Sequence, residues 1–547
     1  MIEIKAKIVS SLEKIFLDEE PRAYDGLIQG FRNERFSFQF AYSPSERCKL
    51  RVNVDSSPGL CLRLRDVRSV PVSLPTYPNA DDNYLRKVSG LYPDLLDEQR
   101  PYGFYANAGY WYACWIDICP NEDTAPGLYS VMVQIKSETD EILLEYVHQV
   151  KILSGILPAQ KLIHTKWFHC DALSKYYNVE AFSEEHWRII ENYLLAAVAG
   201  GINMILMPVH TPPLDTHFGS ERPTMQLVEI AINNGKITFN MDKLHRWIRM
   251  CKRCGVEYYE VAHLFTQWGA KHAPKIMATV DGSYKHIFGW DTDACSKRYG
   301  DFLQQYIPAL LDVFREEGID RKTFWHISDE PNTDQIEAYL SAKRKVEYLL
   351  KGYTIMDALS SYEFYRKGIV QCPIPSDDHI QPFLDAKVPG LWTYYCCAQY
   401  KDVPNMFIAM PSARNRILGV LFYRYEIAGF LQWGYNFWSG VHSEYRIDPF
   451  ACTDGEGAWP AGDPFQVYPG PDGQPLESIR MAVTREAMQD LRAMQWLESL
   501  AGRDAVLKLL GDSPLTFTDY PHEPEYILEL RERINAEIDR YTTESKR

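Results

Sequence analysis

The sequence predicts a multidomain α+β protein: an N-terminal antiparallel β-sandwich, then a (β/α)8 TIM barrel, then a short helical C-terminal tail. Three observations predict it. Residues from about 30 to 155 alternate apolar and polar with period two. Beyond residue 160, apolar runs alternate with helical patterns, and eight of the runs read as strands. The final stretch is helical with a charged, solvated face. The linker "SGILPAQ" closes the first part, so the domains are expected at 1–157, 158–510 and 511–547.

In the first domain, "RFSFQFAY" places Phe36, Phe38, Phe40 and Tyr42 on one face, and "KLRVNV" does the same with Leu50, Val52 and Val54. "CLRLR", "YSVMVQIK" and "EILLEYVHQVKIL" continue the pattern, with Pro, Gly, Asp and Asn between them. Short half-buried strands at this spacing predict a sandwich. The eight later strands are read at 162–169, 203–209, 256–264, 323–328, 353–359, 369–374, 391–397 and 429–436. "SEEHWRIIENYLLAAVAGG" predicts a helix: Ser183 caps it, Glu184 and Glu185 suit its positive end, and Gly200 or Gly201 stops it. In "QLVEIAINNGKITFN", Asn234-Gly235 suits a type I′ hairpin turn. A doubly wound open sheet is the alternative to the barrel, but no Gly-rich phosphate fingerprint follows any strand.

A chain of 547 residues has room for two or more domains and ample core. Its net charge of −15 argues against nucleic-acid or anionic-membrane partners, which need a basic face, and leaves a neutral substrate open. The 13 Trp and 35 Tyr serve large cores on the plainer reading; on the sharper one, flat rings with polar tips line a sugar cleft. "MIEIKAKIVSSLEKI" is charged throughout, so no signal peptide is expected. The apolar stretch from Tyr193 to Val209 is broken by Gly200, Gly201, Asn203 and Pro208, so no membrane span is expected. The cysteines then read as reduced thiols of a cytoplasmic protein. Cys251 and Cys254 form a lone CxxC in a helical pattern, and neither zinc nor any cofactor is expected.

"TFWHISDEPN" (323–332) carries the sharpest signal. Asp-Glu also occurs at Asp18-Glu19, Asp97-Glu98 and Asp140-Glu141, where a solvated turn explains it. Asp329-Glu330 instead ends the fourth barrel strand, where barrel chemistry sits. A plainer role for Asp329 is a helix N-cap. Two acids this close raise at least one pKa, which keeps a proton available for a glycosidic oxygen. Barrel glycosidases with an acid here often hold a nucleophile after strand seven, but that exit reads "LWTYYCCAQY", without a carboxylate. The missing carboxylate points to a substrate that brings its own nucleophile. A 2-acetamido sugar does so by attacking C1 with its carbonyl oxygen, which forms an oxazolinium ion. Glu330 fits the acid, Asp329 the counter-charge, and Tyr394 or Tyr395 the donor to that carbonyl. Other polar and aromatic candidates fall at strand exits: Asp171, His210, His263, Gln267, Trp268, Trp433, Asn436 and Trp438. Each has a structural reading as a satisfied core group.

Several longer segments resemble glycoside hydrolase family 123, the β-N-acetylgalactosaminidases, and the wider group around domain of unknown function 4091. They include "WFHCDAL", "TPPLDT", "HLFTQWGAKHAPKI", "HISDEP", "QWGYNFW" and "VYPGPDGQPLESIRMAVTREAMQD". The resemblance spans most of the chain. It implies a β-sandwich, a TIM barrel and a retaining, substrate-assisted, exo-acting hydrolysis of terminal β-linked N-acetylgalactosamine, with the family's adjacent acids at Asp329 and Glu330. Two departures stand out. Ala487 occupies an expected helix glycine, and the family's exported glycan degraders contrast with the cytoplasmic reading, which suits a small oligosaccharide or glycoconjugate. Three rivals remain: a conventional β-glycosidase with Glu363, Asp377 or Glu444 as nucleophile, a non-catalytic sugar-binding protein, and a metal hydrolase. Against the last, no HxH follows the first strand and no HExxH is present.

Overall fold

The computed structural model describes residues 2–544; Met1 and residues 545–547 of the expected tail lie outside the described residues. The N-terminal part forms two five-stranded sheets. The first has the strand order Ile4–Ser10, Phe36–Pro44, Tyr112–Ile118, Leu62–Val72, Gly90–Glu98, all antiparallel. The second runs Ile28–Phe31, Ile142–Leu153, Gly127–Ser137, Cys48–Ser56, Phe104–Ala106, with one parallel pair between its first two strands. The period-two pattern explains the packing. Phe36, Phe38, Phe40 and Tyr42 join Leu50, Val52, Val131, Val133 and Ile135 in one core between the sheets.

The first sheet is buried on its other face as well, because it rests on the second half of the chain. Arg480 donates to both oxygens of Asp94 at 2.9 Å. Arg65, fully buried, bridges Asp117 and Glu477 at 2.7 Å each. Buried ion pairs contribute little net stability but are costly to break singly, so they fix this docking geometry.

Eight short parallel strands follow: β1 (Ile163–Lys166), β2 (Met204–Met207), β3 (Tyr258–Val261), β4 (Thr323–Trp325), β5 (Thr354–Ala358), β6 (Cys372–Ile374), β7 (Trp392–Tyr394) and β8 (Gly429–Gln432). Their order is β6-β5-β4-β3-β2-β1-β8-β7, and a single parallel bridge, Ser376 to Tyr394, brings the two ends together into a nearly closed barrel. Met204, Leu206, Met356, Ile374, Trp392 and Leu431 fill its interior, while a much larger apolar layer lies between strands and helices. The expected strands were longer than the observed ones. Many of the residues past the hydrogen-bonded stretches, among them Phe168, Val209, Leu264, Ile327, Leu359 and Tyr435, stay apolar because they pack in the layer between strands and helices.

The helix Glu184–Ala199 starts where Ser183 Oγ accepts from His186 N at 3.2 Å. Asn234 and Gly235, at φ 49° and 77°, turn the hairpin Glu229–Asn233/Lys236–Asn240, which widens into a four-stranded sheet with Ile276–Val280 and Ser283–Phe288. Ala487 lies against Gly419, where a Cβ would come within 2.2 Å of the Ala487 carbonyl oxygen. The close helix approach is therefore supplied by the glycine on the opposite helix. The closing helix Pro524–Glu544 buries Ile527, Leu530, Ile534 and Ile538, the stripe its helical spacing predicts.

Candidate active site

After β4 the chain remains stitched to both neighbours. Leu264 N and Phe265 N donate to His326 O and Ile327 O at 3.2 and 3.0 Å, and Asp357 Oδ1 accepts from Ile327 N and Ser328 N at 2.9 and 3.3 Å. Trp268 N donates to Asp329 O at 3.0 Å, and Glu330 N to Ala358 O at 3.1 Å. Glu330 has φ 44°, in the left-handed region that a Cβ disfavours. That twist breaks the strand's alternation and turns both Asp329 and Glu330 into one cavity at the barrel mouth. The following helical turn is capped by Asn332, whose side chain accepts from Asp334 N at 3.0 Å, so Asp329 is free of that duty.

The cavity, about 190 Å3, is walled by four tryptophans, Trp167, Trp268, Trp433 and Trp459, with His169, Asp215, Gln267, Asp329, Glu330 and Tyr394 among its polar groups. Gln267 Nε2 donates to Asp329 Oδ2 at 2.7 Å, and its Oε1 accepts from Asp215 N. Tyr394 Oη donates to Glu330 Oε1 at 2.8 Å. Burial and the Glu330 charge push Asp329 up to about 8. Burial also raises Glu330, while the Tyr394 bond pulls it down; the residue is open to solvent at the rim, which tempers the rise. The pair therefore keeps a proton near neutrality.

A charged group lies directly beneath. His326 sits between Glu260, 2.9 Å from Nε2, and Asp357, 3.5 Å from Nδ1, with all three side chains fully buried. Burial opposes its charge, but the flanking Asp357 and Glu260 carboxylates outweigh burial and raise it to about 9. Glu260 also accepts from Trp167 Nε1 at 3.1 Å and from Thr165 Oγ1. The imidazolium thus supports the floor and faces Asp329 as a cation.

Of the sequence candidates, the cavity gathers Asp329, Glu330, Tyr394, Gln267, Trp268 and Trp433. Tyr395 points the other way, packing its ring 4.9 Å from Phe430 in the outer core. His263 stacks on His326 at 4.3 Å, under the floor. His210 Nε2 lies 2.9 Å from His263 O, outside the cavity. Trp438 is fully buried and donates to Val467 O. Asp171 and Asn436 act at one remove. Asp171 pairs with Arg222 at 2.7 Å, and Arg222 reaches His169 Nδ1 and Leu214 O. Asn436 clamps the His169 backbone at 2.9 and 3.1 Å. The common reason is strand pleat: residues at an exit alternate between the mouth and the helix layer.

Sequence reasoning passed over Trp167, His169, Asp215, Trp459 and the pair Cys396-Cys397, all on the cavity wall. Trp167 and His169 were findable by the strand-exit rule that singled out Asp171. Trp459 lies far along the chain and had no such signal. Glu363, Asp377 and Glu444 do not line the cavity. Glu363 is paired with Arg366 at 2.7 Å, and Asp377 is buried, which pushes its carboxyl up toward the neutral form. Among the described residues, no cluster of three or more His, Cys, Asp or Glu is arranged to hold a metal ion.

Residues 167–497 match the family model described as glycoside hydrolase 123, catalytic domain. No curated protein matches the sequence. Among solved structures, the chain is similar to a family 123 glycoside hydrolase from Clostridium perfringens, at 14% identity and TM-score 0.74, with 99% of each chain covered. A Bacteroides ovatus GH5 xyloglucanase follows at 9% identity and TM-score 0.27, covering 84% of this chain and 97% of that one. A Parabacteroides merdae β-glucuronidase stands at 11% identity and TM-score 0.26, with 79% and 46% covered. The last two scores are too low to bear on the fold.

Proposed function

The chain belongs to glycoside hydrolase family 123, and on that premise we propose an exo-acting, retaining β-N-acetylgalactosaminidase that works by substrate assistance. The observation that carries the proposal is the adjacent pair Asp329 and Glu330 in one tryptophan-walled cavity, with Tyr394 on Glu330. The acetamido carbonyl oxygen attacks C1, the leaving oxygen takes the proton of Glu330, and an oxazolinium ion forms. Asp329 holds the acetamido N–H and balances its charge. Glu330 then returns as base for the water that opens the ring.

The proton distribution suits this order of events. One tyrosine hydroxyl has one proton to donate. When Tyr394 turns that proton to the acetamido carbonyl, Glu330 loses the bond that favours its charged form and keeps its proton. The developing cation against Asp329 draws the negative charge there. Substrate binding thus sorts one shared proton onto the acid. His326 beneath adds a further fixed positive charge that favours ionised Asp329.

Asp215 supports a second reading, a conventional glycosidase, because its Oδ2 is buried without a partner on the cavity wall. Burial raises its carboxyl, however, and a neutral acid is a poor nucleophile. A panel of aryl β-glycosides separates the two: N-acetylgalactosaminide, N-acetylglucosaminide, galactoside and galactosaminide. Turnover confined to the acetamido sugars is expected; brisk hydrolysis of the galactoside would sink the assisted mechanism in favour of Asp215.

We further propose a β-sandwich at 1–157, a TIM barrel at 158–510 and a helical extension at 511–547. Cytoplasmic residence of the chain is proposed as well, and all twelve cysteines being unpaired supports a reducing compartment. No described helix is long and apolar enough to cross a membrane.

A further inference from the structure

Two neighbouring cysteines line the cavity, and the proposed hydrolysis uses neither. On a continuing strand, Cys396 and Cys397 would point to opposite faces. Strand β7 stops at Tyr394 and the chain turns at Cys397. Gln399 holds the turn: its Oε1 accepts from Cys396 N at 3.0 Å and from the Cys396 thiol at 3.2 Å, and its own N–H donates to Cys396 O at 3.1 Å. Both residues border the cavity, their thiols are within hydrogen-bonding reach of each other, and neither residue is fully buried. The Tyr77 hydroxyl, from the N-terminal part of the chain, backs Cys397 and donates to Ala458 O at 3.1 Å.

We infer that Cys396 and Cys397 form a vicinal dithiol site for trivalent organic arsenicals, placed in the cavity wall so that its occupation excludes the sugar. The chemistry is an exchange. An aryl arsenous acid carries two hydroxyl groups on arsenic. Two As–S bonds form, two As–O bonds break, and each thiol proton leaves with a hydroxide as water. Arsenic stays trivalent, so no oxidant or reductant is needed. Two sulfurs and the aryl carbon complete its coordination, and soft thiolate ligands suit it.

Reactivity gives the site a second signature. The neighbouring Cys397 thiol, burial and the Glu330 charge all hold Cys396 well above the ordinary thiol range. Alkylation by iodoacetamide needs a thiolate and is slow at such a group. Arsenic exchange consumes the protonated thiol. Other cysteine neighbours provide an internal comparison: Cys119 N donates to Cys61 O at 2.9 Å just beyond the strands Tyr112–Ile118 and Leu62–Val72, outside the cavity, and Cys251 and Cys254 are buried on one helix.

The test treats the full-length protein with phenylarsine oxide and reads peptide-mapped mass alongside turnover. The expected result is an adduct on the Cys396-Cys397 peptide with loss of turnover, reversed by 2,3-dimercaptopropanol and not by an equal dose of a monothiol. N-acetylgalactosamine should slow its formation. In Cys397→Ser, the adduct at this site should vanish and the variant should keep its own activity in the reagent. If that variant misfolds, mapping and sugar protection on the wild type carry the test. An adduct confined to Cys61 and Cys119, or full turnover with Cys396-Cys397 occupied, would overturn the inference. Absence of turnover in the untreated protein would count against the hydrolase reading alone, since the mapped mass does not depend on it.

Discussion

Asp329→Asn should make the protein more stable and less active at once. The side chain is 5% exposed, beside Glu330 and above the Glu260–His326–Asp357 group. Its carboxyl rises from 3.8 to about 8, chiefly through burial and then the Glu330 charge. A group whose pKa is raised on folding adds stability in full below its unfolded value and loses it as pH climbs through the folded value. The wild type should therefore weaken from about pH 4 to about pH 8, and the neutral amide should not share that loss. At about 1.4 kcal/mol per unit, the shift bounds the gain near 6 kcal/mol. Glu330 takes part of the repulsion by holding the shared proton, so about half of that bound, roughly 3 kcal/mol, is the expectation. The amide oxygen can still accept from Gln267 Nε2, so the local geometry survives. Urea midpoints by tryptophan fluorescence, taken at about pH 5 and about pH 8.5, measure it. Over the same change, turnover of an aryl β-N-acetylgalactosaminide should fall roughly 100-fold or more, as charge stabilisation is lost. A variant that is less stable than wild type at the higher pH, or that keeps wild-type turnover, would refute the reasoning.

Three further changes probe the same constellation. Glu330→Gln should slow sugar leaving groups far more than activated aryl ones, read as kcat/KM across a leaving-group series; equal loss for both would contradict the acid role. Tyr394→Phe removes the bond that pulls Glu330 down, so the basic limb of the kcat/KM–pH profile should move upward, with activity down by roughly 10-fold to 100-fold; an unmoved limb would separate Tyr394 from the acid. His326→Leu leaves Glu260 and Asp357 buried around an apolar group and should cost about 3–5 kcal/mol in the urea assay, since one partner of a buried charge cluster is lost; a change under about 1 kcal/mol would show that the imidazolium is not charged.

The architecture was legible because burial leaves a periodic trace. Phe36, Phe38, Phe40 and Tyr42 share one side of a pleated strand, and that is a statement about spacing alone. The β/α order likewise places Asp329-Glu330 at a strand exit before any coordinate is known. The rest of the site depends on orientation, which spacing does not encode. Tyr394 and Tyr395 are neighbours with equal chemistry, yet one donates to Glu330 and the other packs on Phe430. His210 and His263 sit at exits too, but face the barrel's outer layer and the underside of the floor.

The amino-acid sequence by itself determined the alternating strands, the eight-strand order and the acidic pair at the fourth exit, because each follows from local periodicity and chain direction. Only the tertiary structure decided that Glu330 adopts a left-handed backbone and that Trp459 and Tyr77 arrive from opposite ends of the chain to wall and back the cavity. Those outcomes depend on contacts between segments tens to hundreds of residues apart. Such contacts are fixed by the packing of the whole molecule and by no local pattern.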